Sequence, residues 1–294
     1  MITEDDAKLS RLRELLPATS AGIYLDTATF GPLPAETAAA MREADEWELK
    51  VGRATVGRDE DMEQRVEEAR AVLAALVVAD PSEIVLTPGV DAALGLAGRL
   101  TNSRDVTILD ASYIAGAQLL EANALGADMI AFACDKWLLG PEQTAALWVS
   151  PRVGGSALGV SPSSGLSRTA VLGLARSVGW IEMYVGLDWA YARTEALVST
   201  LFESLLQIPG ISARRTQPAV VTFAVKGWSL ADTVDELRRR VFAIVGVTRD
   251  EAQVQASVGW FNTQAEIDTF VGAVREIAAS TPGSIPRRLP LLGQ

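Results

Sequence analysis

Residues 124–149 read ALGADMIAFACDKWLLGPEQTAALWV, and how they are read decides the fold. The apolar run 129–133 has the length and the bounded ends of a buried strand, and TAALWVS at 144–150 is a second such run. Between them the chain turns through Trp-Leu-Leu-Gly-Pro, with Lys136 standing where the first run ends. Lysine occurs elsewhere only as Lys8, Lys50 and Lys226. A strand-end lysine is either a solvated cap or an amine that does chemistry.

Outward from this stretch the pattern repeats. EIVLTPG at 83–89 and VTILDAS at 106–112 are further short apolar runs, and AALGLAGRL at 92–100 and IAGAQLLEANALGA at 114–127 read as helical. Short strands alternating with helices predict an α/β layer with a mainly parallel sheet. Leu9, Leu12, Leu15 and Leu16 share one face of an N-terminal helix that stops at Pro17. A short strand and a turn-rich loop, GIYLDTATFGPLP, lead into a helix over about 35–51. A second helix, about 61–79, carries Met62, Val66, Ala69, Val72, Leu73 and Leu76 on one stripe. Residues 150–167 are rich in Gly, Ser and Pro and read as a long loop. A single long helix is expected over about 168–207, ending at Pro209-Gly210. VVTFAVKG, a helix over 230–241, VFAIVGV, VQASVGWF and a helix over 264–279 predict a small α+β domain. The division expected is 18–167 for the large domain and 168–294 for the long helix and small domain, with the helix of 1–17 packing near the latter. The Pro/Arg-rich tail after Ser280 is expected to be loosely held.

Totals narrow the function. The 294 residues carry a net charge of -11, which argues against nucleic acid or an anionic membrane surface as the main partner. The acidic start MITEDDAKLS has no secretory character. The longest apolar run, AVLAALVVA at 71–79, is about half a membrane span. A cytoplasmic protein is expected. One Cys excludes an internal disulfide framework and a Cys-based zinc site; Cys134 reads as a small buried residue. No His is present, which removes Ser-His-Asp and Cys-His machinery and His-ligated metals. Proton chemistry must come from Lys, Asp, Glu, Tyr or a cofactor, and no metal site is expected.

Several stretches, in order, resemble the class V aminotransferases: YLDTATFGPLP, LTPGVDAALGLA, ILDASYIAGAQ, the 124–149 stretch and ASVGWFNTQAEID. That family includes cysteine desulfurases, C–S lyases and epimerase-like enzymes, which use pyridoxal 5'-phosphate (PLP) on the fold-type I scaffold. The resemblance implies that Lys136 is the Schiff-base lysine and that Asp110 keeps the pyridine nitrogen protonated. Tyr113 stands where the family usually has Gln or His and could still hydrogen-bond the cofactor's phenolic oxygen, and the resemblance puts Gly89, Val90 and Asp91, where a strand turns into a helix start, at its phosphate. Asp91 reads as the N-cap of that helix. Thr27, Ala28 and Gln255 fall at substrate-binding positions. The substrate implied is an amine or amino-acid derivative, the reaction C–S lysis, β-elimination or amino transfer, and the assembly a homodimer.

The chain also departs from the family. Asp135 replaces the usual His before the lysine, Gln255 replaces the Arg that grips a substrate α-carboxylate, and Gly165-Leu166 replaces a Gly-Thr pair. Only TNSRD separates GLAGRL from VTILDAS, where family members carry on the order of eighty more residues, enough for several βα units. The expected sheet is therefore truncated, its four strands starting near Glu83, Val106, Asp128 and Thr144 forming one contiguous half, with VTILD at a bare edge. A second reading follows from these departures: a degenerate, catalytically inactive scaffold acting as a binding or partner subunit.

Overall fold

The structure, a computed structural model, describes residues 3–100, 106–153, 165–250 and 252–282. TNSRD, most of the Gly/Ser/Pro-rich stretch and nearly all of the tail lie outside these. The strands form two sheets.

The first has the order β2-β5-β4-β3, with β2 Ile84–Thr87, β3 Ile108–Asp110, β4 Met129–Ala133 and β5 Ala145–Val149. β3 pairs parallel with β4, and β5 runs antiparallel to both β4 and β2. Three strands therefore point one way with β5 reversed between two of them. The four lie together as one contiguous sheet, with β2 at one edge and β3 at the other.

Both faces of this sheet are covered, which is why its strands read as unbroken apolar runs. Ile84, Leu86, Ile130, Phe132, Ala146 and Trp148 pack under α3 (Arg58–Val77) and α5 (Arg168–Trp180). The alternate residues Val85, Met129, Ala131, Leu147 and Val149 meet α4 (Val90–Leu100) on the other face. α2 (Ala35–Val51) packs against α5; α1 spans Glu4–Glu14.

The second sheet has the order β1-β8-β9-β7-β6. β1 is Ile23–Leu25, β6 Ile211–Gln217, β7 Val220–Val225, β8 Ala243–Val247 and β9 Val254–Ser257. One face buries Val221, Phe223, Val254 and Ala256 against α6 (Leu187–Leu206), α7 (Leu230–Val241) and α8 (Gln264–Ala278). The chain crosses between the layers twice: β1 pairs parallel with β8 in the second sheet, whereas α5 packs on the first.

Two expectations are corrected. The helix expected over 168–207 is two helices bent by 84°. α5 ends in a π-helical turn, Ile181–Val185, and Gly186, at φ 79°, turns the chain into α6. A positive φ of this kind is open to glycine at little cost. The stretch 114–127 forms turns and one short 3-10 segment, Ala122–Ala124, rather than an α-helix. Its glycines break it: Gly116 has φ 80° and Gly126 φ 69°.

Candidate active site

The site is built on the connection from β4 to β5. Cys134 N–H donates to Thr144 O at 2.9 Å and Gly140 N–H to Cys134 O at 2.8 Å, which closes the 134–144 loop on itself. A Cβ on Gly140 would lie 2.7 Å from Cys134 O, so the turn needs glycine there. Leu139 and Gln143 take positive φ values of 54° and 60°, a conformation uncommon outside glycine. The loop is pinned to its surroundings. Gly31 N–H donates to Asp135 O at 2.8 Å, the Ser177 hydroxyl to Leu139 O at 2.8 Å and the Trp137 indole to Val258 O at 2.8 Å.

Lys136 is thereby held half-buried between the two sheets. Its Nζ donates to Ala28 O and lies 5.0 Å from the centroid of the Tyr113 ring, which in turn packs on Trp137. Ala28 is fixed by its own N–H donating to the Ser257 hydroxyl at 2.8 Å. Burial pulls the Lys136 amine below the usual lysine range, opposed by the charges of Asp135, Asp110 and Asp26. Burial likewise pushes Asp135 and Asp26 above the usual carboxylate range. A neutral amine is therefore more accessible here than at a solvated lysine.

Asp110 ends β3, beside β4. Its Oδ1 accepts from Ser112 N–H at 2.9 Å and from the Ser112 hydroxyl at 2.5 Å. Oδ2 has no hydrogen-bond donor among the described residues. Gly89 ends the turn after β2 with φ 98°, and its carbonyl accepts from Ala93 N–H at 3.2 Å. α4 starts at Val90, so Asp91 lies in its first turn and not at the cap. Register puts Thr87 opposite Ala145 and Ala145 opposite Ala133. The Gly89 turn and Lys136 therefore follow strands that finish at the same end of the sheet, two strands or about 10 Å apart.

Gln255 lies on β9 in register with Thr222 of β7 and Gly246 of β8, on the face away from the helices. Thr27 is fully buried and its hydroxyl has no partner. The structure thus gathers Lys136, Tyr113, Ala28 and Asp110, and places Gln255 nearby on the second sheet.

Asp26 was not anticipated from sequence. It accepts from the Thr29 hydroxyl at 2.8 Å, and its charge acts on Lys136. The available signal was an acid directly after the apolar run of β1. The Asn262-Thr263 stretch proves structural: Thr263 and Glu266 form a capping box on α8, and Glu266 pairs with Arg13 at 2.7 Å. Cys134 is fully buried and its thiol is pushed up by desolvation. Trp180 and Trp189 pack with Trp260, not around Lys136.

A cavity of about 560 Å³ lies elsewhere, between α2, α3 and α5, lined by Trp47, Trp180 and Tyr184. A cavity of about 410 Å³ borders the lysine loop at Asp135, Gly140 and Glu142. The first cavity is also lined by Glu36, Glu43, Arg65, Glu68, Arg168 and Arg176, whereas Lys136, Asp135 and Asp26, each with a shifted pKa, converge at the lysine loop. Among the described residues no cluster of His, Cys, Asp or Glu is arranged to hold a metal ion. No single described helix is long and apolar enough to cross a membrane.

No family model and no curated protein matches the sequence. Solved structures do match. A variant of C-DES with glycine covalently linked to its PLP cofactor gives a TM-score of 0.76 at 13% identity, over 90% of this chain and 99% of that one. C-DES, a cystine C–S lyase, is also solved with its reaction product cysteine persulfide. The apo cysteine desulfurase of Thermococcus onnurineus NA1 gives a TM-score of 0.76 at 18% identity, over 92% and 98%. The cysteine desulfurase CsdA of Escherichia coli gives 0.74 at 16% identity, over 92% and 98%. The chain therefore has the fold of these cysteine desulfurases and of the cystine C–S lyase C-DES.

Proposed function

We propose that this chain is a PLP-dependent lyase or transferase acting on an amine or amino-acid derivative, with Lys136 carrying the cofactor. The observation behind this is the pairing of an amine with a lowered pKa at the end of β4 with a carboxylate at the end of the adjacent β3. The cofactor fits the residues present. Asp110 is oriented through one oxygen by Ser112 and offers the other to a protonated ring nitrogen. Tyr113 flanks the amine, and the first N–H groups of α4 after Gly89 suit a phosphate. When bound, PLP supplies an electron sink for charge developing beside the substrate's amine carbon.

The chain's own part is positional. The 134–144 loop fixes the Lys136 amine, and burial makes it easier to deprotonate, as a nucleophile or base requires. Ala28 O accepts its proton side, so the amine has a defined resting place. Asp110 holds a proton on the ring nitrogen by charge. Two of the solved neighbours are named cysteine desulfurases and C-DES is named a cystine C–S lyase, so sulfur amino-acid derivatives are among the substrates to test.

We further read the chain as a shortened form of its scaffold, with the exposed β3 edge paired or covered in a homodimer. In the test, PLP is added to the purified protein, the visible absorption recorded and borohydride used to trap the cofactor. The expected label sits on one peptide containing DKWLLGP, and Lys136→Ala abolishes both band and label. Label scattered over Lys8, Lys50, Lys136 and Lys226 supports the catalytically inactive scaffold instead.

A further inference from the structure

The face of the second sheet that meets the lysine loop carries an acid, Asp26, beside Gln255. A Cβ on Gly246 would lie 2.5 Å from Asp26 Oδ1 and 3.6 Å from Gln255 Nε2, so glycine leaves room for both groups at one spot. Thr222, directly across from Gln255, is buried with its hydroxyl unpartnered. So is Thr27, the residue after Asp26. An unpaired buried hydroxyl in a native protein calls for a partner. The charge balance of the spot is negative. Asp26, Asp110 and Asp135 all act on Lys136, and Arg249 is the weakest contributor to it. Arg249 is exposed on the β8–β9 connection, and among the described residues it makes no ion pair. An exposed charge of this kind is screened by salt.

Resting on the PLP reading above, the geometry points to a substrate subsite formed by Asp26, Gln255 and Thr222 that takes a hydrogen-bond-donating group. The substrate class is a primary amine whose α-substituent is an amide or a second amine in place of a free carboxylate. Asp26 accepts from the donor, Gln255 offers both a carbonyl and an NH₂, and Thr222 supplies a hydroxyl. A free carboxylate at the same place meets like charge from Asp26, and the guanidinium whose charge acts on Lys136, Arg249, is exposed and screened.

The experiment uses the PLP-loaded protein, with loading verified by borohydride trapping on the DKWLLGP peptide. Calorimetric titration then compares L-alaninamide with L-alanine. Alaninamide is expected to bind at least about tenfold tighter. Gln255→Arg should reverse that order. Asp26→Asn should shrink the difference by weakening alaninamide and relieving alanine, while the trapped label persists. Alanine binding as tightly as alaninamide to the loaded protein overturns the subsite and leaves the cofactor reading standing. Loss of that alanine binding in Arg249→Ala would reassign the carboxylate contact to the β8–β9 loop. Absence of any trapped cofactor overturns both readings.

Discussion

The Trp137 indole N–H donates to Val258 O at 2.8 Å, one residue beyond Lys136, and so ties the lysine loop to the second sheet. Trp137 is almost fully buried, and removal of the donor leaves a buried carbonyl unpaired. Trp137→Phe is expected to cost about 1–3 kcal/mol in urea unfolding and to weaken cofactor retention. An unchanged midpoint would show that the two sheets hold together without this bond.

Gly31 approaches the same loop from β1's side. A Cβ there would lie 2.0 Å from Lys136 O, the carbonyl that accepts from Leu139 N–H at 3.1 Å. Gly31→Ala must therefore push the turn outward, at a cost of about 1–3 kcal/mol or more. Borohydride labelling of Lys136 should drop more than global stability does. Full labelling in this variant would mean that the amine's position tolerates a shifted turn.

The pH dependence of stability follows from Asp26. Its native pKa is raised above the ordinary 3.8 by burial. The native state thus binds more protons than the unfolded chain across that window, and stability falls as pH rises through it. Asp26→Asn removes this loss while keeping an acceptor for the Thr29 hydroxyl. The variant should unfold at higher urea than the parent at pH 7 and at about the same urea below pH 3.8. Asp135 contributes in the same direction, so some slope remains. Lys136, lowered by burial, works oppositely, adding stability as pH rises toward the ordinary lysine value of 10.5.

The β3 edge sets the expectation for assembly. Ile108 on β3 is exposed, and an edge of unpaired N–H and C=O groups next to an apolar side chain invites pairing. Light scattering at micromolar concentration is expected to give a dimer's mass, and Ile108→Lys to shift it toward the monomer. A monomeric parent protein rules out this interface.

Much of the first layer was legible because its strands are covered on both faces, so Met129 to Ala133 and Ala145 to Val149 stand out as apolar runs against polar turns. α7 and α8 were anticipated over 230–241 and 264–279, and the structure caps them with Ser229 and Thr263, whose side chains accept from Asp232 and Glu266 N–H. β6 was missed because an edge strand with alternating exposure, ISARRTQ, has no apolar run to detect. The bend at Gly186 was missed because one glycine in a helix pattern is ordinarily tolerated. At the site, Lys136 and Asp110 were readable as strand-end residues. Asp26 follows β1 in the same way but was not singled out, because its neighbours Gly246 and Gln255 lie more than two hundred positions away in the sequence.

The two crossings between layers make the halves of the chain depend on each other. Cut before α5, the first piece would carry a β1 strand whose neighbour β8 is elsewhere, and a sheet face stripped of one of its helices. The second piece would carry an apolar α5 with nothing to lie on and a five-stranded sheet missing an end strand. Neither fragment has a sealed interior of its own, yet each holds what the other lacks. Mixed in one tube, they should find one another.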